Sequence, residues 1–280
     1  MKNIVSQIIQ SILPTPKAPQ RKLSVHQGHE VLLRLESAGC TPEVAQRIIE
    51  SKGNAVAEDM IYVASNGVYE PTKSQKAANE IMGNNYFGIE DAAEHFKIRP
   101  SRTQLAMLSE VPFSEATLRT CKNTHVLVAR FPMSILEMFG NKLVCHLFGL
   151  DNPKKEPWFK KHGFSWTEGR VGWYLISKNP EANSFNYEWV YQLAQFGNKN
   201  DPAPVGVAVY AALGHFLKTG ERMFKEGMAR CAELDLSGRR VTIGPFKEDG
   251  LRIQAWWDDG RCYYVGSTSM RREESEEGIL

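Results

Sequence analysis

The sequence lacks the patterns that mark several common classes of protein. Its five cysteines among 280 residues include no Cys-x-x-Cys pair, which argues against a disulfide framework and favours a reducing compartment. No stretch approaches the roughly 18 consecutive apolar residues of a transmembrane helix, so we expect no membrane span. The formal net charge of +2 provides no overall attraction to nucleic acid, and a nucleic-acid partner is therefore not expected.

Catalytic signatures are also missing. The chain contains no phosphate-binding glycine loop, no Gly-x-Ser-x-Gly and no His-Glu-x-x-His, and no sequence feature singles out a pair of carboxylates for acid–base chemistry. His26 and His29, like the Cys and His residues scattered over 121–162, do not have the spacing of a zinc site. We therefore predict a protein that is not an enzyme and has neither a metal nor a cofactor.

The first 85 residues divide into two predicted segments. Residues 1–23 form an N-terminal segment with a Pro-rich linker, and the start lacks the apolar centre of a signal peptide, so we expect synthesis in the cytoplasm. Residues 24–85 form a small helical region, in which Thr41 caps a helix that begins at Pro42. Its predicted role is to tether or oligomerise the protein. The buried stripe of this helix is predicted to comprise Val44, Ile48 and Ile49.

The next residues support two alternatives that involve nucleic acid. Ile89–Phe96 and Ser101–Leu108 predict two short helices around a tight connection, which is typical of a helix-turn-helix but also of any helical hairpin. A DNA-binding regulator of a mobile element that uses residues 89–108 is therefore the alternative function. The loop 151–172 places Trp158 and Trp166 among lysines, and we favour aromatic pinning of the loop over binding of single strands.

The last third predicts one helix followed by a sheet. Asp201 caps a long apolar helix that begins at Pro202 and ends at Gly220. Four successive strands then form an antiparallel meander, which makes the fold α+β. The strands are predicted over 228–236, 239–246, 251–257 and 263–270.

The third of these strands leads into a segment with a different composition. Leu251, Ile253, Ala255 and Trp257 share one face at a period of two, as in a half-buried strand, and Asp249-Gly250 is a tight-turn pair. From Trp257 the pattern breaks into acids, Gly, Arg, Cys and two Tyr. Such a mixture suits a contact surface better than a core, because Tyr, Trp and Arg carry much of the energy of binding.

The same stretch resembles the variable proteins of diversity-generating retroelements of phages and bacteria. The resemblance rests on Asp249-Gly250-Leu251-Arg252, on Trp257-Asp258-Asp259-x-Arg261, and on the closing Gly266-Ser267-Thr268-Ser269-Met270-Arg271. In that family an error-prone reverse transcriptase rewrites adenines at the 3′ end of the target gene. Asn codons of the form AAC then become codons ending in C, which never encode Trp, Gln, Met, Lys or Glu.

The resemblance implies a diversified surface on a fixed frame, about residues 252–265, that binds varied protein or glycan partners. Its implied fold over 86–272 is a C-type-lectin-like domain of helices and antiparallel sheet, followed by an acidic tail at 273–280. No second carboxylate loop accompanies Trp257-Asp258-Asp259, so calcium is not expected. The implied scaffold residues are Trp256, Trp257 and Met270. The implied ligand-binding residues are Arg252, Ala255, Asp258, Asp259, Gly260, Arg261, Cys262, Tyr263 and Tyr264.

Overall fold

A computed structural model describes residues 22–150 and 156–273 of the chain. By internal contacts the chain divides into two units, Met1–Gly67 and Val68–Leu280. This division falls before the predicted boundary at 85/86, because residues just after 67 bond to the second unit: the Gln75 amide donates to Leu108 O at 2.7 Å. Most of the predicted N-terminal segment and of the acidic tail lies outside the described residues.

In the described part of the first unit, residues 22–67, three α-helices enclose no fully buried side chain. They are α1 (Val25–Ser37), α2 (Pro42–Ile49) and α3 (Ala55–Asn66). Thr41 caps α2 as predicted, since its hydroxyl accepts a hydrogen bond from Val44 N at 3.4 Å. The predicted buried stripe is wrong: Val44 is 40% and Ile49 73% exposed, and Ile48 is only half-buried. The described residues 22–67 form no core against which this face of α2 could be buried.

The second unit is mixed α and β, which confirms the α+β prediction. Its helices are α4 (Lys73–Met82), α5 (Ile89–Phe96), α6 (Arg102–Met107), α7 (Glu115–Cys121), α8 (Ile135–Gly140), α9 (Gly163–Trp166), α10 (Trp189–Ala194) and α11 (Val205–Thr219). Its strands are β1 (Tyr86–Phe87), β2 (His125–Arg130), β3 (Gly172–Ser177), β4 (Asn200–Pro202), β5 (Met228–Leu234), β6 (Arg240–Lys247), β7 (Gly250–Trp256), β8 (Val265–Ser267) and β9 (Ser269–Arg271). The two predicted helices around residue 100 are α5 and α6.

Helix α11 lies at the centre of this unit and packs against strands of both sheets. Every residue from Val205 to His215 is buried, as expected for a helix that is apolar on all sides. Gly220 ends the helix with φ +73°, as predicted, but the predicted start at Asp201 is wrong. Asp201 and Pro202 belong to β4, and the carboxylate of Glu233 instead accepts from Val205 N at 2.8 Å.

The strands form two sheets, with the orders β1-β2-β3-β9-β4 and β7-β6-β5-β8. Strands β5, β6 and β7 are antiparallel neighbours, as predicted. The predicted fourth strand over 263–270 is wrong, because this segment divides at Thr268: β8 pairs parallel to β5 in one sheet, and β9 joins the other. The backbone N–H of Thr268 donates to Arg230 O, and its carbonyl oxygen accepts from Ala203 N, each at 3.1 Å.

The β6–β7 hairpin carries the stretch of interest, and its outer edge is covered. Gly250 adopts φ +108° at the predicted turn. On the buried face lie Leu251 and Ile253, whose carbonyl oxygens accept hydrogen bonds from Gly149 N at 2.9 Å and from the indole N–H of Trp158 at 2.7 Å. Trp158 therefore pins its loop to the sheet, as predicted for this aromatic residue.

Candidate functional site

The segment 257–264 leaves the end of β7 as an irregular loop and returns to the sheet at β8. It begins where the antiparallel pairing of β7 with β6 ends, at Trp256 opposite Arg240. The loop has two turns, at Asp258-Asp259 and at Tyr263-Tyr264. Its backbone hydrogen bonds close to these turns are Gly260 N to Trp257 O at 3.1 Å and Val265 N to Cys262 O at 3.2 Å. Its shape therefore depends on what surrounds it.

A buried arginine beneath the loop provides most of that support. Arg230, in the middle of β5, has no exposed surface. Its guanidinium donates to the backbone oxygens of Trp257, at 2.9 Å, and of Gly260. It also donates to Tyr187 O at 3.0 Å and to the side-chain oxygen of Gln192 at 2.9 Å. Burial lowers the pKa of this guanidinium, and the four acceptors replace the water that burial removes.

Main-chain bonds from the segment before α10 hold the loop along its length. Asn186 N donates to Cys262 O at 2.9 Å, and Trp189 N donates to Asp258 O at 2.8 Å. On the other side, Met228 N donates to Tyr264 O at 2.8 Å. Together with Arg230, these contacts bind carbonyl oxygens and no loop side chain. The loop is thus fixed by groups that every residue type possesses.

Two residues of the loop are constrained by side chains beneath it. The carboxylate of Asp258 accepts two hydrogen bonds from Arg240, at 3.1 and 2.7 Å, and the Arg240 guanidinium lies 4.5 Å from the ring centroid of Trp189. At Gly260 an added Cβ would lie 2.7 Å from the indole nitrogen of Trp256. Asp258 and Gly260, both expected as ligand contacts, therefore belong to the frame of the loop.

Of the remaining loop side chains, Cys262 is half-buried and the others are exposed. Tyr263 is 84% exposed and Tyr264 52%. The Arg261 guanidinium is also exposed and bonds to Glu188, at 2.7 Å from its carboxylate, which raises the pKa of Arg261. The hydrogen bond between Cys262 and Tyr264 raises the pKa of the Tyr264 phenol. The exposed members of the loop are Trp257, Asp259, Arg261, Tyr263 and Tyr264.

The expected scaffold residues take different positions. Met270 packs partly buried against the core, and Trp256 is half-buried with its ring 6.1 Å from that of Tyr264. Trp257 was expected in the scaffold, but its side chain is 56% exposed, because the chain leaves the sheet at this residue. Arg252 and Ala255 lie on β7, outside the loop, and Arg252 pairs with Asp249 at 2.6 Å.

Sequence reasoning missed the residues that hold the loop from below. Arg230, Arg240, Gln192 and Glu188 were not predicted, since they are up to several dozen positions away from the loop in the chain. One signal was available: Arg230 interrupts the apolar run Met228-Ala-Arg-Cys-Ala of a predicted strand. An arginine within such a run is almost never buried without a partner, so it indicates a set of acceptors nearby.

A groove runs beside the loop on the exposed face of β7. It has a volume of about 1040 Å³ and includes three of the predicted residues, Arg252, Trp256 and Tyr264. A second hollow of about 590 Å³ adjoins it. The two share the segment 222–227, of which Arg222, Lys225, Glu226 and Gly227 line both. A ligand bound at the loop can therefore also contact the concave surface of the groove.

The described residues offer little for a metal ion. Over 22–150 and 156–273, no three His, Cys, Asp or Glu side chains come together in a way that could hold one. The carboxylate of Asp258, the residue closest to a calcium-binding lectin pattern, is paired with the cation Arg240. Within the same described ranges, no helix has both the length and the apolar character needed to cross a membrane.

Comparison with known proteins gave no relative from which a function could be transferred. No family model matches the chain, no curated protein is similar to it at a significant level, and no solved structure matches it.

Proposed function

We propose that this protein is a non-enzymatic ligand-binding protein whose loop 257–264 presents exchangeable side chains to a protein or glycan partner. The observation that carries the proposal is the mode of anchoring. Arg230 and the backbone amides around it bind loop carbonyl oxygens, and substitution of an outward side chain leaves all of these bonds in place. Exposed positions of this kind tolerate substitution within about 0.5 kcal/mol.

The chemistry of the outward side chains supports a binding role. Two tyrosines, a tryptophan and an arginine stand exposed within eight residues, from Trp257 to Tyr264. Aromatic residues and Arg are enriched where proteins bind partners, and Tyr supplies contact area at a small entropic cost. None of these rings belongs to the hydrophobic core of the described residues.

We further propose that a retroelement diversifies this loop and that residues 86–272 adopt a C-type-lectin-like fold. Changes at the adenines of an AAC codon can give codons for Asp259, Arg261, Tyr263 and Tyr264. They cannot give a codon for Trp256 or Met270. Exposure follows this division only in part, since Trp257 is exposed but not reachable, and Asp258, Gly260 and Cys262 are reachable but half-buried. The two-sheet α+β architecture is compatible with the lectin-like fold, and an experimental structure compared with lectin domains would test it.

The proposal that the loop displays exchangeable side chains, here called the display function, is tested with two matched libraries of the full chain. One randomises 259, 261, 263 and 264 with codons ending in C, and the other randomises 258 and 260 in the same way. We expect most members of the first library to keep the thermal midpoint of the parent and to yield binders in selection. Most members of the second are expected to unfold at lower temperature. Equal losses in both libraries would contradict the proposal.

The retroelement is tested separately, in the DNA of the source cells. We expect a reverse-transcriptase gene beside this gene and a near-copy of its 3′ coding segment, with differences confined to adenines. Sequencing the gene across a cell population should show variation at the codons of the exposed loop residues. A uniform sequence with neither feature nearby would remove the retroelement while leaving the binding role open to the library test.

A further inference from the structure

The groove beside the loop contains an arginine that lacks a hydrogen-bonding partner. No acceptor within 22–150 and 156–273 bonds to Arg222, and its Nε is buried without a partner. Its guanidinium instead lies 4.9 Å from the ring centroid of Phe216 and 5.8 Å from that of Phe246. The two rings hold the cation in place, and its position in the wall between both hollows leaves it available to an anionic ligand.

The other charges of the groove are mixed. Asp249 is neutralised by Arg252 at 2.6 Å, which leaves Lys225 and Lys247 as cations and Glu226 and Glu248 as carboxylates along the lining. A nucleic-acid strand places phosphates along its whole length and would meet both carboxylates, so it suits this groove poorly. A ligand with one or two anionic groups among neutral polar groups suits it well.

The end of the groove nearest the loop adds an aromatic surface. Trp256 and Tyr264 meet at an interplanar angle of 72°, with ring centroids 6.1 Å apart, and Gln254 lies beside them in the lining. The apolar C–H face of a sugar ring packs on such a surface. Its hydroxyl groups bond to planar carboxylate and amide groups, here Glu226, Glu248 and Gln254.

An extended peptide is less well suited, because the edge of β7 is closed to it. Peptides that bind sheets add a strand through free backbone groups at an edge. Here Leu251 O accepts from Gly149 N and Ile253 O accepts from the Trp158 indole. A ligand must therefore bind through side chains on the face of the sheet.

From these observations we infer that the groove binds a carbohydrate bearing a carboxylate, such as an oligosaccharide with a uronic or sialic acid. Arg222 receives the carboxylate, and Trp256 with Tyr264 receives a neighbouring sugar ring. This inference rests on the proposed function and specifies its ligand. In it, Arg222 is a fixed contact, while the exposed loop residues adjust which sugar is accepted at the other end of the groove.

The experiment uses the full chain on an array of acidic oligosaccharides, each printed beside its carboxyl methyl ester, together with a poly-glutamate peptide. We expect retention of carboxylated members and loss of binding to their esters. For the strongest member, calorimetry should show that Arg222→Gln weakens binding by about 10- to 100-fold, since a hydrogen bond to a charged group contributes that much. Arg222→Lys should weaken it less.

Arg119→Gln is the matched control, because it removes an exposed arginine that does not line the groove, and it should change nothing. If Arg222→Gln fails to fold, Lys225→Gln and the comparison of acid with ester in the parent protein take its place. Failure to bind any carboxylated oligosaccharide, equal binding of acid and ester, or tighter binding of poly-glutamate would each overturn the inference.

The two proposals fail separately. Loss of the preference for acids, with the loop libraries still folded and yielding binders, removes the inference and leaves the display function. Loop libraries that unfold, with acid binding intact, remove the display function instead.

Discussion

Replacing Arg230 with Met should loosen the loop and destabilise the second unit together. Met has a similar length and retains the apolar packing of the side chain, but among the described residues it leaves three acceptors without a donor: the oxygens of Tyr187 and Gly260 and the amide oxygen of Gln192. Trp257 O keeps only the hydrogen bond from Gly260 N. Hydrogen bonds contribute about 1 kcal/mol each, and an acceptor left buried and unpaired costs about 1–3 kcal/mol. Removing the buried charge offsets part of this.

We therefore expect Arg230→Met to lower the free energy of unfolding by about 3–5 kcal/mol, a large part of the roughly 5–15 kcal/mol of a typical domain. Urea denaturation monitored by tryptophan fluorescence measures this difference. Hydrogen exchange at the amides of Gly260 and Val265, which form the internal bonds of the loop, should accelerate more than exchange in β2. That second measurement separates release of the loop from general destabilisation.

Arg119→Met serves as the control, because Arg119 forms only an exposed pair with Glu115 at 3.2 Å. Such pairs contribute about 0–1 kcal/mol. If Arg230→Met lost no more free energy of unfolding than Arg119→Met, and if loop amides exchanged at the parent rate, anchoring of the loop by Arg230 would be refuted.

Three further predictions concern single positions. Tyr263→Ala, at an 84% exposed side chain, should change the free energy of unfolding by less than about 0.5 kcal/mol while weakening any ligand selected on the parent loop; a drop in thermal midpoint would place the ring in the frame. Gly260→Ala should destabilise by about 1–3 kcal/mol, because its Cβ meets Trp256 at 2.7 Å; a parent-like midpoint would mean that the indole moves aside without cost. Burial lowers the pKa of His125 from 6.5 to about 4, so the unfolded chain takes up this proton first and stability falls as pH drops from 6.5 towards 4, by at most about 3 kcal/mol. His125→Gln should flatten that loss in urea titrations, and the same change at the exposed His146 is the control; identical slopes would assign the loss to other groups.

Local chemistry explains which parts of the fold could be predicted from the sequence. The Asp249-Gly250 turn and the Thr41 cap depend on neighbouring residues, and the structure has both. The end of α11 at Gly220 is equally local, since a left-handed residue closes the helix. Features of this kind need only a few adjacent positions.

Contacts between distant residues explain the rest. The helix start predicted at Asp201 failed, because β9 draws residues 200–202 into a sheet. The division of the last predicted strand at Thr268 depends on pairing with β5 on one side and with β3 and β4 on the other. Neither partner can be identified from the period of the segment alone.

The candidate site shows the same division. Composition located the exposed loop, since Tyr, Arg and Asp between turn residues indicate a surface. The roles within it could not be read: Asp258 and Gly260 look as variable as their neighbours, and only Arg240 and the Trp256 indole, both outside the loop itself, show that they are constrained. Trp257 is the opposite case. It is large and apolar, which predicts burial, but its side chain is exposed because β7 ends just before it.

The position of β8 and β9 after the loop determines which variants of the loop can still form both sheets. One short run of chain supplies a strand to each of the two sheets. A mutation that shifts the reading frame within the loop would remove a strand from both sheets at once. Only variants that keep the reading frame through the loop would therefore retain both sheets.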